Sequence, residues 1–391
     1  MIKLFTAFTE EIDDAAAATE EILSQLPPED TLPRHRVGIV HCHPDFLKLG
    51  VVSALRERIS FDLVGCTSIS MEVPGIVGPL VLTMTVLASD EVSFLCGASA
   101  PVGDQLEDKV EVFYKRLLAG QSEAPAMLLT FVPFIASISG DKFLEKLDAV
   151  SGALPTFGAV SISNDLGNHE VYTLLNGEHW KDAMVLLAVM GPVEPIFLSI
   201  ATLEEKHITM EEHILRQKAV ITSADNNLMQ TVNNMPAVRY LESIGLAENG
   251  SVSSLETISF VIETRDGVQL VRAGVVVTPD GSVACGGGIP VNATLGVASV
   301  GPDEVVSTVR SVLRDALALA QGRGMLIYSC AARYWSLGLN NTMEHECVTE
   351  LLAGGAPYHF IYSGGEIVPE TLPDGRRVNN LQNISVAICI L

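Results

Sequence analysis

Apolar residues fall into short unbroken runs, and each long run is followed by helical spacing. Val37-Gly38-Ile39-Val40-His41-Cys42-His43 reads as a strand, Asp45 to Ile59 as a helix, and Leu63-Val64-Gly65-Cys66-Thr67-Ser68 as a second strand closing on small residues. A longer strand, Gly78 to Ala88, follows. The plan recurs with Ala126 to Val132, a helix from Asp141 to Ser151, and Thr156 to Ser161, then strands over Glu170 to Leu175 and Ala183 to Met190. It recurs again with Gly324 to Cys330, a helix over Met343 to Leu352, Phe360 to Glu366, and a last strand from Ile384 to Leu391. Runs this apolar suit strands covered on both faces, and their alternation with helices implies helix layers on sheets. The expected class is mixed α+β, with repeated β-α-β-β subdomains forming layered sheets packed with helices.

The middle of the chain breaks the rhythm. Glu204 to Lys218 is charged and helical in pattern, and is the expected linker (204–218) between a domain over 1–203 and one over 219–391. Asp225-Asn226-Asn227 reads as a turn and Met235 to Leu241 as the start of a short helix. Ile258 to Thr264 and Val268 to Val277 read as a hairpin around Asp266-Gly267, with a second turn at Pro279-Asp280-Gly281-Ser282. Asp303 to Ala320 is the clearest amphipathic helix, with Val305, Val306, Val309, Val312, Leu313, Ala316 and Leu317 at helical spacing.

Composition narrows the function classes. A net charge of −23 over 391 residues opposes nucleic acid and anionic lipid surfaces. The N-terminal strand meets Glu10, Glu11, Asp13 and Asp14 too soon for a secretion signal, and Pro133, Pro192 and Pro195 interrupt the longest weakly charged stretches, so no membrane insertion is expected. Seven cysteines without a CxxC pair fit reduced thiols in a cytoplasmic protein.

The C-terminal third carries a recognisable pattern: Tyr328-Ser329-Cys330-Ala331-Ala332-Arg333, then Glu344 and Glu346, then Tyr362-Ser363-Gly364-Gly365-Glu366-Ile367-Val368-Pro369, then Asn383-Ile384-Ser385. It resembles the C-terminal FIST domain. Asp225 to Leu241 looks like that domain's beginning, and Val64 to Ser68 looks like part of the FIST N-terminal domain. The resemblance implies a sensory module that binds a small ligand and signals to a kinase, cyclase or chemoreceptor. Some relatives are linked to haem and nitric-oxide sensing, so haem binding is carried as an alternative. No catalytic or output segment is recognised, so output is expected through a partner protein.

Ser329, Cys330, Arg333, Glu346, Gly364, Gly365, Glu366 and Asn383 are the expected ligand-binding residues. Arg333 presents a planar fork suited to a carboxylate and Glu366 an acceptor for an ammonium, which together fit an amino acid or a related carboxylate. The competing reading is that Arg333 and Glu366 pair with each other and tie two strand ends together. His41 and His43 would share a strand face, where two imidazoles could meet a metal or haem iron, with no third ligand identified. A third possibility is a cysteine hydrolase, with Cys330 as nucleophile, His345 or His359 as base and Glu366 orienting it. Gly65-Cys66-Thr67-Ser68 lacks the spacing of a nucleophile elbow. Cys285-Gly286-Gly287-Gly288 reads as a flexible turn.

Overall fold

The structure is a computed structural model, and it describes all residues except 70, 74–75, 79, 104, 136–137, 164–169, 203–218, 253–254, 266–268, 354 and 372–376. The expected linker and the turn Asp266-Gly267 lie outside the described residues.

The first unit runs β1 (Lys3–Thr9), β2 (His35–Cys42), β3 (Asp62–Thr67), a hairpin of β4 (Met71–Val73) and β5 (Ile76–Gly78), and β6 (Leu82–Ser89). The second repeats it with β7 (Ser93–Ala98), β8 (Met127–Val132), β9 (Thr156–Val160), the hairpin β10 (Thr173–Leu175) and β11 (Glu178–Trp180), and β12 (Val185–Met190). The third opens with β13 (Ile196–Ala201) and is interrupted by an insertion. The inserted strands are β14 (Ala219–Asp225), β15 (Leu228–Val232), β16 (Met235–Pro236), β17 (Ile258–Glu263), β18 (Gln269–Val277), β19 (Val283–Cys285) and β20 (Thr294–Ser299). The unit resumes with β21 (Met325–Cys330), β22 (Tyr358–Ser363), the hairpin β23 (Glu366–Thr371) and β24 (Arg377–Gln382), and β25 (Ser385–Ile390).

Three six-stranded sheets follow one plan: β1-β6-β2-β3-β10-β11, β7-β12-β8-β9-β23-β24 and β13-β25-β21-β22-β4-β5. In each, only the third and fourth strands are parallel, and every other neighbouring pair is antiparallel. The hairpins are exchanged in a ring. The first unit's hairpin completes the third unit's sheet, the third's completes the second's, and the second's completes the first's. Each parallel pair would otherwise present an unpaired edge, so no unit is complete without its neighbours.

The inner faces of all three sheets pack into a shared core that includes Ile39, Val64, Leu129, Phe157, Leu187, Tyr328, Ile361 and Cys389. Outer faces are covered by helices. Helices α1 (Ala15–Gln25), α2 (Pro44–Lys48) and α3 (Val51–Arg58) cover the first sheet, and α4 (Leu106–Leu117) and α5 (Gly140–Ser151) the second. The helix expected over 45–59 is therefore two helices, broken where Gly50 takes a φ of 81°. The inserted strands close into a seven-stranded sheet with its own core and the short helix α6 (Ala237–Ser243). Helix α7 (Pro302–Ala320) and, after the short α8 (Ala331–Ser336), helix α9 (Met343–Leu352) cover the third sheet.

One polar contact crosses the shared core. His41 Nδ1 on β2 lies 2.7 Å from His359 Nε2 on β22, and His359 Nδ1 lies 2.9 Å from Thr85 Oγ1. Burial holds both imidazoles neutral, driving His41 well below its ordinary 6.5 and His359 down to about 3. Neutral buried histidines stabilise the fold above the unfolded value of 6.5 and lose that contribution as pH falls towards the folded values. Stability should therefore drop between pH 6.5 and pH 3, by up to ~1.4 kcal/mol per pH unit per histidine. Urea unfolding midpoints across this range check it, and a His41→Leu/His359→Leu chain should show a shallower acid limb.

Candidate functional site

The strand ends of the third unit gather the C-terminal polar residues. Arg333, one turn into α8, is fully buried and its guanidinium is met on all sides. Nη2 bonds Glu344 Oε1 at 2.6 Å and the Val305 carbonyl at 3.0 Å, Nη1 bonds Thr202 Oγ1 at 2.6 Å, and Nε bonds Ser329 Oγ at 3.0 Å. Glu344, also fully buried, is the partner, so the pairing of Arg333 with Glu366 does not form as a direct ion pair. Helix α9 delivers Glu344 inward while Glu346 is exposed and bonds Thr342.

Glu366 is buried beside this pair, held by Ser363 Oγ at 2.7 Å and Ser385 Oγ at 2.5 Å. Burial pushes its carboxyl up to about 8, against the pull of those hydroxyls and of Arg333. Cys330 lies in the same region, and burial first, then the neighbouring Glu366, raises its thiol far above the usual range. A catalytic thiol needs the opposite shift. His359, one of its two candidate bases, is engaged with His41 and Thr85 in the shared core. Gly364 and Gly365 bond Val160 across to β9 and start the exchanged hairpin. These residues form a closed, mutually satisfied polar core.

The open space lies next to it. A cleft of about 870 Å³ separates the inserted sheet from the second and third units. Asp141 and Lys142 on α5, Glu370 on β23, and Asn380, Gln382 and Asn383 line one wall, and Arg272 on β18 with Gly288 to Pro290 the other. Its volume suits a small ligand. Arg272 fastens the two walls, donating to Asp141 Oδ1 at 3.2 Å, the Leu381 carbonyl at 3.1 Å and the Gly288 carbonyl at 3.2 Å. The turn Gly286-Gly287-Gly288 is small for a steric reason: a Cβ on Gly287 would sit 2.7 Å from Arg272 Nε, and one on Gly286 2.6 Å from Asn383 Oδ1.

Of the expected site residues, Asn383 alone lines this cleft. It is 1% exposed, and its Oδ1, like Gln382 Oε1, is buried without a hydrogen-bond partner among the described residues. Between the cleft and the closed core stands Ile384, whose φ of 56° is rare for a β-branched residue. Its carbonyl accepts Thr202 Oγ1 at 2.6 Å, and Thr202 in turn accepts from Arg333. Asn383-Ile384-Ser385 thus sets Asn383 at the margin of the cleft, its amide packed against Gly286, and directs Ser385 to Glu366, with the left-handed residue between them.

Residues 36–235 match the family pattern of the FIST N domain and residues 236–369 that of the FIST C domain. The chain belongs to the FIST family. No curated protein matches it. FIST domains are associated with small-ligand sensing in signalling proteins. The boundary between the two matches falls at β16, inside the inserted sheet of this FIST chain, and Asn380 to Asn383 lie beyond the matched span.

The donor set speaks to haem. Among the described residues, no histidine, cysteine, methionine or tyrosine lines the cleft. His41 is sealed in the shared core, and His43 leaves the strand to cap α2, accepting the Asp45 N–H at 3.3 Å, so the two imidazoles do not share a face. Among the described residues no three His, Cys, Asp or Glu side chains form a metal-holding group. The described lining of the cleft offers no axial ligand for a haem iron. No described helix is long and apolar enough to cross a membrane.

Proposed function

We propose that this FIST chain is a sensory protein that holds a small polar ligand in the cleft between its inserted sheet and the three-sheet body. The observation that carries the reading is the cleft itself, about 870 Å³ and walled by polar side chains of the insertion and of the second and third units. A molecule touching both walls would also alter how the insertion sits on the body. The signal would leave through a partner chain of the kinase, cyclase or chemoreceptor kind. All seven cysteines are free, which suits a cytoplasmic site of action.

A thermal-shift screen of amino acids, amines and small organic acids tests it. At 100 times its dissociation constant a true ligand stabilises the fold by about 2.7 kcal/mol. Failure of every compound to raise the midpoint would contradict the reading.

A further inference from the structure

We propose that the closed polar core behind the cleft is a one-proton switch: Glu366 holds a proton there, and losing it loosens the exchanged hairpin of β23 and β24. The proposal stands whether or not the cleft takes a ligand.

Charge counting leads to it. Arg333, Glu344 and Glu366 are all 0% exposed, which sets one cation against two carboxyl groups. Glu344 takes the cation, bonded by Arg333 Nη2 at 2.6 Å and Nε at 3.2 Å. Glu366 hangs from the neighbouring strand end. Ser329 and Cys330 on β21 lie in register with Tyr362 and Ser363 on β22, and Ser329 bonds Glu344 while Ser363 bonds Glu366. The printed partners of the Glu366 carboxyl are neutral hydroxyls, Ser363 Oγ at 2.7 Å and Ser385 Oγ at 2.5 Å. A hydroxyl donates to a carboxylate or accepts from a carboxylic acid, so both contacts survive in either state. A second buried negative charge with no cation of its own is costly enough that such a group keeps its proton instead.

The ionisable groups that bear on Glu366 are Arg333 on α8, Glu344 on α9 and the Cys330 thiol at the end of β21. Strands β9, β24 and β25 bring Ala159, Gln382 and Ser385 against it. Position makes the proton consequential. Glu366 opens β23, and it and Ile367 are the residues of that strand that pair with β9, opposite Ala159 and Gly158. Glu370, Asn380 and Gln382, farther along the hairpin, line the cleft. A charge appearing at this attachment is relieved by water, which reaches it when the β23–β9 pairing opens.

Infrared spectroscopy and hydrogen exchange of the full-length chain test the switch. At neutral pH the wild type should show a protonated-carboxyl band that Glu366→Gln diminishes, since glutamine keeps a donor and an acceptor for the two serines. The folded value of about 8 lies above the ordinary 4.5, so the stability this group contributes is complete below 4.5 and is lost as pH rises through about 8. From about pH 7 to about pH 9, after correction for base-catalysed exchange, the Ile367 and Val368 amides should lose about tenfold in protection relative to Leu129 and Thr130 on β8. Glu366→Gln should show no such loss. Ser385→Ala removes a donor to the charged form and should move the loss to higher pH, a comparison that also serves if Glu366→Gln fails to fold. An identical carboxyl band in wild type and Glu366→Gln would overturn the proposal. Hairpin protection that ignores pH, falls equally in Glu366→Gln, or is unmoved by Ser385→Ala would overturn it too.

Discussion

Arg333→Met is expected to destabilise the protein by about 3–5 kcal/mol, because it leaves Glu344 charged and unpaired where neither side chain has any exposure. Ser329, Thr202 and the Val305 carbonyl lose a donor at the same time. Arg333→Met/Glu344→Leu removes both charges and should recover most of the loss, since replacing a buried ion pair with apolar groups of similar volume is often near neutral. Urea unfolding of both chains checks this. A single-variant loss below about 1 kcal/mol, the size typical of an exposed pair, would contradict the closed core described here. The pair ties α8 to α9 and, through Thr202 and Val305, to the two chain ends that flank the insertion.

Gly158→Ala and Gly65→Ala are expected to be comparably damaging, for a steric reason. A Cβ on Gly158 would lie 2.0 Å from the Thr130 carbonyl oxygen, and one on Gly65 would lie 1.8 Å from that of Val40. The two glycines occupy the same place in their units, opposite the third-last residue of β8 and of β2 in the parallel pairs. Backbone meets backbone there, so relief requires prising apart strands buried on both faces. Each change should cost more than ~4 kcal/mol, or prevent folding. Gly50→Ala provides the comparison, since nothing lies within 4 Å of its Cβ. Only the positive φ opposes it, a cost of about 1–2 kcal/mol. Losses at Gly158 and Gly65 no larger than at Gly50 would contradict the close approach as their cause.

Much of this architecture is legible in the chain. The three apolar rhythms correspond to the three units because strands covered on both faces must be continuously apolar. The repeat also mapped the polar ends of β21 and β22 to one place. The ring of exchanged hairpins is not legible, because pairing between distant segments leaves no local mark, and β4, β10 and β23 look like ordinary local strands. Helices α1 and α4 escaped notice although the signals exist: Asp14 Oδ1 accepts the Ala16 and Ala17 N–H groups, and Val110, Phe113 and Tyr114 are buried at helical spacing.

At the site, residue type misled where geometry decides. Arg333 and Glu366 looked complementary, but α9 supplies Glu344 as the nearer anion, and Glu344 and Glu346 lie too close in sequence for spacing to say which turns inward. Asp141 comes from the second unit, Arg272 from the insertion, and Glu370 and Gln382 from the third unit's hairpin, so they share no common motif. The one local hint was Gly286-Gly287-Gly288, whose smallness reflects the side chains pressed against it.

The most direct test is a crystal structure of the protein with its tightest-binding small molecule. The expected result is a ligand in the cleft between the inserted sheet and the second and third units, touching side chains of both walls, with the Arg333–Glu344 pair unbroken. A ligand gripped by Arg333 and Glu366, or lodged in the smaller cavity beside Phe113, Arg116 and Trp180, would contradict it.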